Sequence, residues 1–458
     1  MSTDTIAAIG TALSNSGISI IRISGKDSLN IIRKIFVSNS KIMPNNIIYG
    51  KIVENGKVVD TVLVSYFKNP KSYTGEDVCE INCHGGVQIT REILQLVLEN
   101  GARLAEPGEF SKRAFLNGKM DLTKAEAVIN LINSKNTTQA RIAANNLEGD
   151  LYKKIKEVRE ELIELMAHIE VSVDYPEYDY DEVENDNVIS LLNKKIIEIN
   201  NILSTYEQGK YIKDGVNVVI LGKPNVGKSS LLNTLSRSQK AIVTEIPGTT
   251  RDVIEERINI GNIILNLSDT AGIRKTDDFV EKIGVKRSIE KIDEADLVIY
   301  LLNVESDIDD EDKEILSKIQ NKGIKLITVI NKIDKGQKLK FNGILDELKR
   351  FGVNEVIKMS VLNNEGIDEL KNKIEEIFNT NDLDFENELI ITNERHRDLL
   401  NKSKEYLEVA KKEIEDNEPI DIVSIVIKNA TKSLGEIIGA DVNQDIVNKI
   451  FEKFCLGK

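Results

Sequence analysis

Gly222-Lys-Pro-Asn-Val-Gly227-Lys228-Ser229 is the stretch on which the reading of this chain turns. It fits the pattern GxxxxGK[ST], follows the apolar run Val216–Leu221 and opens a segment of helical spacing. In that setting the glycines let main-chain N–H groups close around phosphate oxygens at a helix N-terminus. Lys228 is then expected to reach the β- and γ-phosphates and Ser229 a magnesium ion.

Two further motifs narrow the ligand. Asp269-Thr-Ala-Gly272 follows the apolar run Ile263–Leu267, where a carboxylate can hold the magnesium shell and the Gly272 N–H can meet the γ-phosphate. Asn331-Lys332-Ile333-Asp334 follows Leu326–Ile330. The Asp334 carboxylate can accept both N–H groups on the pyrimidine edge of guanine, whereas adenine offers the reverse polarity, and such a site rejects the wrong partner by orders of magnitude. Singly these tetrapeptides say little. Ordered behind a phosphate loop at strand ends, they mean GTP.

Outward from the loop, Val216–Leu221, Ile263–Leu267, Leu297–Leu302 and Leu326–Ile330 are short apolar runs separated by helix-length segments, which predicts a parallel sheet with crossover helices. Upstream, from Ile18 to about Gly118, β-type runs such as Ile18–Ile23 and Val58–Tyr66 sit beside helical spacing at Val87–Asn100, the pattern of a small α+β domain. From Leu122 the texture turns helical: Leu122, Val128, Leu131 and Ile132, then Ile155, Leu162, Leu165 and Met166, recur with charges between them. Asp174–Asn187 interrupts this with acidic and Pro-containing sequence and is expected to be a loop, without the glycine of an EF-hand calcium site. A helix is expected from Val188 to Tyr206. From about Leu389 the chain is helical again, with Val442, Ile446, Val447, Ile450, Phe451 and Phe454 forming an apolar stripe. An α/β unit has thus been inserted into a helical domain whose two flanking parts must pack together. The expected domains are residues 1–118 (α+β), 119–212 (helical, first part), 213–380 (α/β insertion) and 381–458 (helical, second part).

Composition agrees. At roughly 150 residues per domain, 458 residues make about three folding units. The longest uninterrupted apolar run, Leu297–Leu302, is far too short to span a bilayer. A formal charge of −14 repels polyanions and disfavours non-specific gripping of nucleic acid. Met1–Gly10 holds no Lys or Arg, so a cytoplasmic location is expected. Three cysteines make no disulfide framework. Cys79, Cys83 and His84 fall short of the four ligands of structural zinc, and Cys79, Ile81 and Cys83 are instead expected to alternate along the buried face of a strand.

The ordered motifs look like a translation-factor-type GTPase, and the rest of the chain narrows the likeness. Arg22-Ile-Ser-Gly25, Gly75-Glu-Asp77 near Glu80, His84-Gly-Gly86, Pro107-Gly108-Glu-Phe-Ser-Lys-Arg-Ala-Phe115, Asp121-Leu122, Gly248-Thr-Thr-Arg-Asp252 and Cys455-Leu-Gly-Lys458 resemble the tRNA uridine-modification GTPase family MnmE, also called TrmE. The likeness covers essentially the whole length. It implies a Ras-like, P-loop GTPase domain with a GTP site formed by Asn225, Val226, Gly227, Lys228, Ser229 and Ser230. Thr244, Glu245, Ile246, Pro247, Gly248, Thr249 and Thr250 follow in that site, then Asp269, Thr270, Ala271 and Gly272, and finally Asn331, Lys332 and Asp334. Asn225, Thr244, Ile246 and Thr249 are similar to the family's potassium site, and Thr250 joins Ser229 on magnesium. Ile273 follows DTAG, so the water-orienting Gln of Ras-like enzymes is absent. Glu281, in Val280-Glu-Lys-Ile-Gly284, matches the glutamate that takes its place beside Lys228 in catalysis. Potassium between Asn225 and the phosphates supplies the charge an arginine finger otherwise brings, with Arg251 or Arg274 as the rival finger. Two departures stand out: Ser360-Val361 replaces the guanine-contacting Ser-Ala, and Thr11–Ser16 lacks a proline.

The resemblance also implies that the N-terminal domain pairs with a second copy and binds a tetrahydrofolate derivative, 5-formyl- or methylene-tetrahydrofolate, through Arg22, Glu80, Lys119 and Lys458. The charges suit this, because Arg and Lys pair with glutamyl carboxylates while Glu80 bonds the pterin N–H edge. Cys455 is a candidate reactive thiol beside that site. In the family a homodimer joins an FAD-containing partner, MnmG, in a heterotetramer. That assembly builds an aminomethyl or carboxymethylaminomethyl group on carbon 5 of the wobble uridine of certain tRNAs, using ammonium or glycine. The rival readings are a ribosome-assembly GTPase, which predicts a basic RNA-binding domain at odds with the −14 charge, and a non-catalytic folate-binding scaffold whose loop only senses nucleotide.

Overall fold

The computed structural model describes residues 4–174, 185–238, 256–267, 291–335, 338–378 and 389–458. It divides into two compact units, one of Met1–Asn133, Ala143–Asn200 and Asp398–Lys458, the other of Ser134–Ile142 and Asn201–Arg397.

The first unit contains a sheet of β1 (Ile6–Ile9), β2 (Ser16–Ser24), β3 (Phe36–Val37), β4 (Ile47–Glu54), β5 (Lys57–Phe67), β6 (Val78–Gly85) and β7 (Arg103–Leu104), in the order β3-β4-β5-β6-β2-β1-β7. Alternation decides its faces. Ile21, Ile23, Cys79, Ile81, Cys83, Val62 and Val64 point into one core, closed by Ile31, Ile32 and Ile35 of the helix Ser28–Ile35 and by Ile93 and Val97 of the helix Val87–Glu99. The other face carries a cross-strand row: Ile47 pairs with Ser65, Ser65 with Glu80, and Glu80 with Arg22. Beside it Tyr49 pairs with Leu63 and Leu63 with Asn82. Ile47, Tyr49, Leu63 and Ile18 are exposed there.

The helices of this unit bury most of the stripes read from the sequence. Ile155 and Leu162 of the helix Asp150–Asp174 are fully buried. The helix Ile420–Ile438 packs along it, and Arg159 donates to the Thr431 carbonyl at 3.3 Å and to Asp441 at 3.0 Å. Leu122 and Ala125 of the helix Leu122–Ile132 share a core with Val447, Phe451 and Phe454, so the two parts of the helical domain do meet. Ile132 and Ile446 depart from the expected stripes and are exposed. Ile446 stands at the edge of the Val447/Phe451 face, which the one-turn spacing of those two residues defines, and Ile132 is the last residue of its helix.

In the second unit β8 (Val216–Leu221), β9 (Glu256–Ile260), β10 (Ile263–Leu267), β11 (Leu297–Asn303), β12 (Lys325–Asn331) and β13 (Val356–Lys358) form a sheet in the order β13-β12-β11-β8-β10-β9. It is parallel except that β9 runs antiparallel to β10. Strands buried on both faces read as continuous apolar runs, which is why they were legible. One core lies around Ile220, Leu231, Ile299 and Leu370, the other around Val219, Tyr300, Leu316 and Leu348, under the helices Lys228–Ser238, Asp310–Lys322, Lys338–Arg350 and Ile367–Ile377.

Two expectations need correction. The helix read as Val188–Tyr206 is Asn185–Ser204 followed by a separate helix, Tyr206–Asp214, so Asp174 and residues 185–187 of the expected loop are helical, while residues 175–184 of it lie outside the described residues. Thr205 marks the break: its hydroxyl bonds the Ile202 and Leu389 carbonyls and accepts the Ile391 N–H. The β9–β10 hairpin was also not anticipated, since charges interrupt Glu256–Ile260; Thr138 donates to the Asn262 side chain at its turn, at 2.8 Å. Among the described residues no helix is long and apolar enough to cross a membrane.

Candidate functional site

β8 ends at Leu221 and the helix Lys228–Ser238 begins at the second lysine of the phosphate loop, so strand, loop and helix fall where the motif needs them. The loop fits only glycine at both key positions. At Gly222 (φ +143°) a Cβ would meet the Leu301 carbonyl oxygen at 2.3 Å, and at Gly227 (φ +107°) it would meet Asn331 Nδ2 at 2.3 Å. Asn225 takes φ +60° and is exposed. Lys228 Nζ lies 2.6 Å from the Gly222 carbonyl oxygen and 2.7 Å from that of Lys223. Ser229 and Ser230 open the helix behind it, and Val226 is buried beneath.

The side expected to take guanine is built by side chains from two strand ends. Buried Asn331 donates through Nδ2 to the Val226 carbonyl at 2.8 Å, while its Oδ1 accepts the Val361 N–H at 3.2 Å. It therefore ties the phosphate loop to the segment after β13. Lys332 takes φ +63°. The Ser360 hydroxyl, fully buried, donates to Asp334 Oδ1 at 2.6 Å and fixes that carboxylate. Val361, the departure from alanine, packs with Met359 and Ile367 in the sheet core. Thr244, Glu245, Ile246, Pro247, Gly248, Thr249, Thr250, Arg251, Asp269, Thr270, Ala271, Gly272, Ile273, Arg274 and Glu281 lie outside the described residues.

A second charged cluster lies in the first unit. Arg22 Nε is 2.9 Å from Glu80 Oε1, its Nη1 donates to the Gly457 carbonyl at 3.4 Å, and its guanidinium stands 5.4 Å from the Tyr73 ring centre and 5.8 Å from that of Phe110. The Cys455–Lys458 segment is held against this place. Gly108 N–H donates to the Cys455 carbonyl, Phe110 N–H to the Lys458 main-chain oxygen, and Gly457 (φ +91°) leaves no room for a Cβ beside the Ile9 carbonyl. Burial, and then the nearby Arg22 cation, hold the Lys458 ammonium below its usual value, with Glu80 and Cys455 acting in the opposite sense. Arg22, Glu80, Lys458 and Cys455 are thus brought together, and Cys455 is exposed. Lys119 bonds the Pro70 carbonyl at 3.0 Å, on the loop that carries Tyr73. The aromatic rings of Tyr73 and Phe110 escaped the sequence reading, because nothing in local spacing sets them under Arg22.

The cysteines of β6 behave as alternation predicts. Cys79 and Cys83 face the core, and burial pushes the Cys79 thiol up to about 12 and the Cys83 thiol up as well. His84 points to the other side, exposed, with Nδ1 2.7 Å from Asp60. The three residues therefore do not converge on a metal.

Comparison with known proteins agrees with this geometry. A family profile described as "GTP-binding protein TrmE N-terminus" matches residues 5–119, and one described as "MnmE helical domain" matches residues 122–455. A protein of Acetivibrio thermocellus named tRNA modification GTPase MnmE is 49% identical over 99% of this chain and 99% of its own length. Proteins of the same name from Carboxydothermus hydrogenoformans and Alkaliphilus oremlandii are 45% and 46% identical, covering 100% and 99% of both chains respectively. With both profiles matched and relatives of this identity running end to end, the chain belongs to the MnmE family of tRNA modification GTPases.

Proposed function

We propose that this chain hydrolyses GTP with magnesium and potassium in the cytoplasm, and that as a homodimer it joins an FAD-containing partner, MnmG. In that complex it installs an aminomethyl or carboxymethylaminomethyl group on carbon 5 of the wobble uridine of certain tRNAs. The observation that carries this reading is the presence, in one chain of this family, of a guanine-type phosphate-loop site and an independent cluster of Arg22, Glu80 and Lys458.

In the GTP site Asp334, fixed by Ser360, takes the guanine edge, and main-chain N–H groups of the loop take the phosphates. Lys228 rests on the Gly222 and Lys223 carbonyls and transfers to the phosphates when nucleotide binds. Ser229 with Thr250 would hold magnesium, and Asn225 with Thr244, Ile246 and Thr249 would hold potassium; these ions would neutralise charge developing on the transferred phosphoryl group. Glu281 would orient the attacking water. In the first unit the Arg22 and Lys458 cations stand close together with Glu80 bonded to Arg22, an arrangement that suits the glutamyl carboxylates of a tetrahydrofolate derivative, with Glu80 for the pterin edge and Lys119 on the adjoining loop. The exposed Ile47, Tyr49 and Leu63 continue the sheet face that carries this cluster, which favours pairing of two copies there. We read residues 1–118 as the folate-binding and dimerisation domain, 119–212 with 381–458 as the helical domain, and 213–380 as the inserted G domain. The acidic balance suits a division in which the partner makes most of the RNA contact.

The test is mass spectrometry of wobble nucleosides from cells lacking this chain: the aminomethyl-type modification should disappear, and an unchanged nucleoside profile refutes the tRNA assignment. Turnover of GTP in potassium against sodium salts tests the ion, equal rates removing it from the mechanism. Glu281→Ala should lose hydrolysis and keep nucleotide binding.

A further inference from the structure

Lys223 is the first variable residue of the phosphate loop, and no part of the nucleotide chemistry above uses its side chain. Its ammonium nevertheless lies 2.8 Å from Asp309 Oδ2 and 2.7 Å from Asp312 Oδ2. These two carboxylates form the capping box of the helix Asp310–Lys322: Asp309 Oδ1 accepts the Asp312 N–H at 3.1 Å, and Asp312 Oδ2 accepts the Asp309 N–H at 3.1 Å. The Asp312 side chain is 1% exposed, and its other oxygen accepts the hydroxyl of Tyr300, itself fully buried on β11. Burying a carboxylate so deeply is costly without such partners, and Lys223 is the cation among them.

The loop is therefore fastened at two points, by Lys223 on its entering limb and by Asn331 at Val226 on its leaving limb. The peptide units of Gly222 and Lys223, whose carbonyls carry the Lys228 ammonium, belong to the limb that Lys223 tethers. We propose that Lys223 is a positioning residue for nucleotide binding, tying the entering limb to the Asp309–Asp312 helix cap so that the loop meets the phosphates already shaped. Without the tether the limb samples other conformations, and nucleotide binding has to order it. The loss then falls on affinity, for GDP and GTP alike, rather than on the chemical step.

This inference rests on Gly222–Ser229 being the phosphate loop, and the experiment separates the two claims. The full chain is titrated with a fluorescent GDP and its GTP turnover measured at saturation, in unmutated form and as Lys223→Met, Lys223→Arg and Asp309→Asn. Unmutated protein that binds no GDP fails the phosphate-loop reading itself. Given binding, Lys223→Met should raise Kd about tenfold and leave saturated kcat within about twofold, while Lys223→Arg recovers most of the affinity. An unchanged Kd in Lys223→Met, a loss of kcat at unchanged Kd, or a failure of arginine to do better than methionine overturns the proposal. Should Lys223→Met fail to fold, Asp309→Asn carries the test, because its side chain is 56% exposed; GDP affinity unchanged there overturns it equally.

Discussion

Asp334→Asn isolates the contact on which base selection rests. In the native site the Ser360 hydroxyl donates to Asp334 Oδ1 at 2.6 Å, so the carboxylate is fixed before any base arrives. In the proposed GTP site it would accept both donors of the guanine edge. An asparagine keeps an oxygen for Ser360 but turns an amide N–H₂ towards the base, donor against donor. Two charge-assisted hydrogen bonds of roughly 1.5–3 kcal/mol each are lost, about 3–6 kcal/mol together, and GDP affinity should fall roughly 10²- to 10⁴-fold. Xanthine, which presents a carbonyl where guanine has its amino group, should gain over the same range, since the new amide now has an acceptor. Paired titrations with fluorescent GDP and XDP measure both changes, and the phosphate loop, untouched, supplies equal phosphate binding to each. A variant that keeps GDP affinity within about tenfold of native, or that gains nothing for XDP, places the base away from Asp334 and refutes the guanine assignment.

Two further predictions concern the charged networks. Arg113, almost fully buried, pairs with Glu109, Asp4 and Glu76; Arg113→Leu leaves Glu76 without its cation and Asp4 and Glu109 with Arg103 alone, and should destabilise the first unit by up to about 3–5 kcal/mol in denaturant titration, a cost below about 1 kcal/mol contradicting the network's role. Lys223, with the Asp312 main-chain N–H, holds the Asp309 carboxyl down at about 2, so its contribution is complete above the ordinary 3.8 and is lost as pH falls through about 2. Carboxyl ¹³C titration should find that low midpoint and see it return towards the ordinary value in Lys223→Met; an ordinary midpoint in the native protein removes the ion pair.

Much of this chain is written in local spacing. The strands Val216–Leu221, Ile263–Leu267 and Leu297–Asn303 announced themselves because a sheet buried on both faces needs unbroken apolar runs, and the phosphate loop because only glycine fits where a Cβ would strike Leu301 or Asn331. Cys79, Ile81 and Cys83 followed from the two-residue period of a strand. Contacts between distant segments leave no such signature. Nothing in the sequence near Arg22 says that Gly457 will accept its hydrogen bond or that Tyr73 and Phe110 will lie beneath it. Lys223 reads as a surface lysine until β8 and β11 pair and bring it to Asp309 and Asp312. Periodicity records which side of an element is apolar, and that is decided residue by residue. Which polar groups meet across the fold depends on how sheets order their strands and where helices begin, so only the folded chain decides it.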